Sequence, residues 1–112
     1  MNKEFIPLEE AIALAELGFD EDCLAYYNLS SLRISEIKLQ HLENTIRCYL
    51  APLYQQAFRF FREKYGFTYS IGNTNIAVVH YLGTTQLLQD NDSYEAAELA
   101  AIKWFIDVAK QQ

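Results

Sequence analysis

The chain has 112 residues, 51% of them hydrophobic and 14% aromatic, which suits one compact domain over 1–112 whose rings fill a core without disulfides or a metal. Nine Lys plus Arg against fifteen Asp plus Glu leave a formal charge of −6, a field that repels phosphate backbones and anionic lipid, so nucleic acid is disfavoured and no membrane partner is expected. Cys23 and Cys48 lack C-x-x-C spacing and read as reduced, buried thiols; no apolar run reaches the roughly 20 residues of a membrane span and the N-terminus lacks a signal-peptide core, so the expected location is the cytoplasm.

Pro7 opens a first helix over about 7–17, with Leu8, Ala11, Ile12 and Ala15 at helical spacing, Glu9 and Glu10 at its positive end and Gly18 beyond its last turn. The short apolar and aromatic run 23–29 reads as a strand. Residues 30–47 fit neither period; a short strand or turn falls near 32–39, and 46–50 reads as a strand leading into Pro52.

Pro52 and Gly66 bracket the second helix, which contains QAFRFFREKYGF, five rings interleaved with three cations. Residues placed about 100° apart put Leu53, Tyr54, Ala57, Phe58, Phe61 and Tyr65 within an arc of about 140°, with Phe60 just outside it. Gln55, Gln56, Arg59, Arg62 and Glu63 occupy the opposite face. The helix therefore reads as an amphipathic core helix rather than a stacking platform.

A hairpin follows, 67–71 and 76–82 around Gly72-Asn73-Thr74-Asn75. A symmetric turn pairs Ile71 with Ile76, Tyr69 with Val78 and Phe67 with His80, and a one-residue bulge would swap these assignments on one strand. Residues 83–91 read as a loop. Asp92 and Glu95 have capping-box spacing at the start of a third helix reaching about residue 110. Its apolar residues cover more than half the circumference, which predicts packing on two sides, against the sheet and against a neighbouring helix or a second copy.

No G-x-S-x-G, P-loop, H-E-x-x-H or EF-hand pattern occurs, and the sequence indicates no catalytic residue, cofactor site or metal site. His80, paired opposite Phe67, reads as a structural histidine; His41 has no assignable partner. Glu98 lies within the apolar stripe of the last helix and must find a donor, from Arg33, Arg47 or a tyrosine hydroxyl, or have its pKa raised. Eight tyrosines supply rings with polar tips of the kind enriched at interfaces.

Three blocks, FIPLEEAIALAELGFDEDCLAYY, APLYQQAFRFFREKYGF and SYEAAELAAIKWFIDVAK, together cover roughly half of the chain. They resemble the pattern of a family of small uncharacterised proteins encoded by Bacteroidota genomes and by their phages and mobile elements: FIPYEEALALKELGFDEPCFGYY, APTYQQAFRWFREKYGL and SYEEAELACLKKLIEIVK. Residues 30–47 and 83–91 fall outside the likeness, and Trp104 and Phe105 stand where that family carries Lys and Leu. The resemblance implies a phage or mobile-element setting in a bacterial host and carries over no catalytic residue.

The expected fold is α+β, three helices on a small, mostly antiparallel sheet in the order α-β(β)-α-β-β-α, a two-layer sandwich. The expected function is a non-enzymatic binding or interaction protein that meets a protein partner, itself or a small ligand. Its candidate contacts are Tyr26, Tyr27, Arg59, Phe60, Arg62, Tyr81 and Trp104. Two alternatives differ in class: nucleic-acid binding through Arg59, Arg62 and Lys64, and a small enzyme using Glu98 or His80.

Overall fold

The structure, a computed structural model, describes residues 4–28, 31–37 and 48–112, and the chain divides into two units, 1–57 and 58–112. Among the described residues the architecture is α+β, with three helices and two antiparallel three-stranded sheets. His41 and Arg47 lie outside the described residues, as do the side chains of Arg33 and Cys48.

In the first unit, α1 (Leu8–Glu16) begins after Pro7, the N-cap, whose ψ of 160° keeps it extended. The helix ends in a paired turn: Gly18 N–H donates to Ala15 O at 3.1 Å and Phe19 N–H to Leu14 O at 3.0 Å. This Schellman geometry needs a left-handed residue, and Gly18 supplies it at φ 98°. Leu14 and Phe19 are both buried, the apolar contact that accompanies the motif. The buried side of α1 is Glu10, Ala11, Ala13 and Leu14, so of the expected stripe Ala11 is buried, Leu8 and Ile12 are half-buried and Ala15 is exposed.

Strands β1 (Cys23–Asn28), β2 (Ser31–Ile37) and β3 (Cys48–Leu50) form a sheet in the order β2-β1-β3. Alternation along β1 buries Cys23, Ala25 and Tyr27. The chain's early residues join the same unit, since Ile6 N–H donates to Pro52 O at 2.9 Å and the Tyr27 hydroxyl to Ile6 O at 2.7 Å.

Helix α2 (Tyr54–Tyr65) starts two residues after Pro52. Leu53 is the capping residue, for its N–H donates to Gln56 Oε1 at 3.0 Å, one half of a capping box. Gln56 Nε2 donates in turn to Asp22 O at 3.0 Å. At the other end Gly66, at φ 77°, donates to Arg62 O at 3.0 Å and stops the helix. The expected faces hold: Tyr54, Ala57, Phe58 and Phe61 are buried, whereas Gln55, Arg59, Arg62, Glu63 and Lys64 are exposed.

The second unit carries β4 (Thr68–Ile71), β5 (Ala77–Tyr81), β6 (Thr84–Leu88) and α3 (Tyr94–Lys110), with strand order β4-β5-β6. Two expectations are corrected here. The loop expected over 83–91 contains β6, paired from Tyr81↔Thr84 to Ala77↔Leu88. The first hairpin pairs Tyr69 with Val79 and Ile71 with Ala77, one residue away from the symmetric register.

The physical reason is Asn75, held left-handed at φ 59°, which closes a five-residue connection through Asn75 N–H to Gly72 O at 3.2 Å. The odd-length connection sets His80 opposite Thr68 rather than Phe67, and its Nδ1 lies 3.0 Å from Thr85 Oγ1. Ser93, rather than Asp92, caps α3, accepting from Ala96 N–H at 3.1 Å.

The core of this unit is a cluster of rings. Phe61, Phe67 and Phe105 are fully buried, with Phe61 to Phe105 at 5.3 Å and Phe67 to Phe105 at 5.2 Å between centroids. Phe58 stacks on Tyr69 at 3.7 Å. The aromatic end of α2 and the buried stripe of α3 (Ala97, Ala101, Ile102, Phe105, Ile106, Ala109) supply this core.

Candidate interaction surface

Buried Phe67 is the hub of an aromatic cluster that reaches the surface. Half-buried Tyr65 stacks on it at 5.2 Å, half-buried Tyr81 meets it edge-on at 4.7 Å, and half-buried Trp104 packs at 6.1 Å. Three sequence segments converge because Gly66 turns the chain sharply out of α2, so Tyr65 and Phe67 flank one left-handed residue. Edge-on and offset contacts of this kind add to area burial and hold the rings in place.

Phe60 extends the cluster along α2, at 6.2 Å from Tyr65. Lys64 Nζ sits 5.5 Å from the centroids of both Phe60 and Tyr65. A cation there uses the ring faces that an incoming base would need. Tyr65 is thus engaged by Lys64 and by Phe67, and Arg59 and Arg62 project from α2 with Glu63 also exposed beside them.

Beyond Tyr81 the chain turns back through Leu82 and Gly83, at φ 48° and 80°. Two positive φ values at the centre of a two-residue connection make a type I′ turn, whose twist matches the flanking strands. Position one of that turn favours Asn, Asp or Gly, because a side chain in the left-handed region crowds its own backbone. Among the described residues the chain follows this preference at the other non-glycine left-handed positions, Asn75 and Asp90, and departs from it at Leu82. Leu82 is 83% exposed. A strained and exposed leucine gains nothing from the fold that holds it.

Phe60, Tyr81 and Trp104 belong to the surfacing cluster, and Arg59 and Arg62 lie exposed on α2. Tyr26 is half-buried on β1, and Tyr27 is buried, its hydroxyl pushed up from its ordinary pKa by burial and then by the Glu10 carboxylate. Leu82 escaped the sequence reading, because its significance rests on the left-handed backbone that the turn imposes.

Glu98 is half-buried on α3, its pKa raised by burial and then by Glu95. Glu98 and Tyr94 also raise the Tyr69 hydroxyl, after burial, and Arg62 opposes them. The Cys23 thiol is buried and pushed up to about 12 by burial, Glu21 and Asp22, so it offers no thiolate at neutral pH.

Cys23 borders a shallow cleft of about 320 Å³ in the first unit, with Asp22, Leu24, Leu53 and Gln56. The Gln56 amide in that cleft is already committed to Leu53 and Asp22. Among the described residues, no three of His, Cys, Asp and Glu are grouped to hold a metal ion, and no helix is long and apolar enough to cross a membrane. No protein-family model, curated protein or solved structure matches the chain.

Proposed function

We propose that this chain is a non-enzymatic interaction protein that meets a protein partner with the β5–β6 hairpin tip and the aromatic cluster beside it. The carrying observation is Leu82, 83% exposed and left-handed. Strain at a position the fold does not need is characteristic of contact sites. Tyr81 and Trp104 add rings of the type that anchor protein interfaces. The three-block resemblance supports a setting in a Bacteroidota cell, in its cytoplasm, with the gene carried by a phage or mobile element. A nucleic-acid partner is the weaker reading, because Lys64 occupies the ring faces of Phe60 and Tyr65.

Leu82→Asn tests the proposal in two independent ways. Asn suits the type I′ position, so the variant should be more stable than the native chain by about 1 kcal/mol in chemical denaturation. It should also lose at least about tenfold in capture of its partner from a Bacteroidota extract, the cost expected for an anchor residue. Leu24→Asn, on the other unit, should leave capture unchanged. Undiminished capture by Leu82→Asn would contradict the assignment.

A further inference from the structure

The β4-β5-β6 sheet has an edge without the usual protection. Natural edge strands are blunted by charge, proline, a bulge or extreme shortness, since their free N–H and C=O groups pair readily with another strand. Strand β6 reads Thr84-Thr85-Gln86-Leu87-Leu88, with no charge and no proline, and its register against β5 runs through five pairs without a bulge. None of the 25 residues 65–89 is Asp, Glu, Lys or Arg, in a chain that is 21% charged. The outer edge of β6 has no paired strand among the described residues. Thr84, Thr85, Gln86 and Leu87 are all exposed, Leu87 at 54%.

We propose that β6 pairs antiparallel with β6 of a second copy of this chain, joining two three-stranded sheets into one of six strands about a two-fold axis at Gln86. Charge placement selects this occupant and this direction. The acids Asp90 and Asp92 follow β6 closely, whereas the preceding Leu82 and Gly83 are uncharged. Antiparallel pairing sets the acids of each copy at opposite ends, beside the uncharged tip of the other. Parallel pairing would bring the four carboxylates together.

Among two-fold registers, the one centred on Gln86 pairs all five residues. It places Thr85 opposite Leu87 and Thr84 opposite Leu88, and the two Gln86 amides face each other. Leu87, paired with Val78 on the sheet face that also carries His80, gains cover from the added strand. The outer edge of β6 adjoins the Leu82 tip, and different substitutions read the two contacts: Gln86 variants report the dimer and Leu82→Asn reports the protein partner.

A five-strand-residue contact lies below the area of a standard interface, so the dimer should be weak, with a Kd on the order of 0.1 mM. Sedimentation velocity from about 10 μM to about 1 mM, spanning that value, should show the native chain moving from monomer to dimer. Gln86→Lys and Gln86→Glu, each at an exposed site, should weaken dimerisation by at least about tenfold, because each sets like charges across the axis. An equimolar mixture of the two should restore the dimer. A native chain that stays monomeric to about 1 mM overturns the proposal, as does a dimer indifferent to both substitutions, or a mixture that stays monomeric.

Discussion

Leu82 and Glu98 show how single residues carry a cost that the fold does not require. Leu82 adopts a backbone conformation that Asn75 and Asp90 adopt more cheaply, and its side chain stays in water. Glu98 is half-buried, and its desolvation is aggravated by Glu95. A carboxyl whose folded pKa exceeds its unfolded value binds its proton more tightly when folded. Its favourable contribution is complete below the unfolded pKa and is lost as pH rises through the folded one. Glu98→Gln, a neutral isostere, should therefore raise the melting temperature at pH 7, with the gain vanishing near pH 3. A catalytic Glu98 would instead show as loss of an activity, and an unchanged or lowered melting temperature at pH 7 would remove the desolvation argument. From sequence, the misfit of Glu98 with its stripe was legible because helical spacing fixes faces. Leu82 was not, since its significance depends on a φ value that the neighbouring turn imposes.

At the scale of elements, the helices were the most legible. Pro7, Gly18 and Gly66 mark helix boundaries through local chemistry, and the amphipathic face of α2 follows from spacing alone. The β hairpin was less so, because register depends on whether the connection holds four residues or five, and Asn75 decides it by going left-handed. That one step set His80 opposite Thr68 instead of Phe67. Strand β6 was missed because Thr-Thr-Gln has no alternation, and its residues are exposed on both faces of the sheet. Gly66 gives a clean energetic test of the turn that assembles the aromatic cluster. A Cβ there would meet nothing within 4 Å, so the strain of φ 77° is the whole effect. Gly66→Ala should cost about 1 kcal/mol by urea denaturation; a neutral result would mean that α2 ends differently in solution.

At the scale of the whole chain, charge and rings are unevenly shared. Residues 1–57 contain nine acidic and four basic side chains, whereas 58–112 contain six and five. The cluster of Phe58, Phe60, Phe61, Tyr65, Phe67, Tyr81, Trp104 and Phe105 lies within the near-neutral unit. Composition alone suggested an acidic, ring-rich binding protein; the separation of these two properties between units needed the tertiary contacts. It favours a surface on 58–112 for an apolar partner, since fewer charges must be desolvated there.

The aromatic end is proposed to meet a protein. Trp104 is the chain's one tryptophan, so 5-fluorotryptophan labelling gives a single fluorine resonance at that end. The resonance should shift or broaden when the captured protein partner is added and stay in place when a single-stranded oligonucleotide is added at low salt. A resonance unmoved by the protein, or displaced by the oligonucleotide in a salt-dependent manner, would contradict the account.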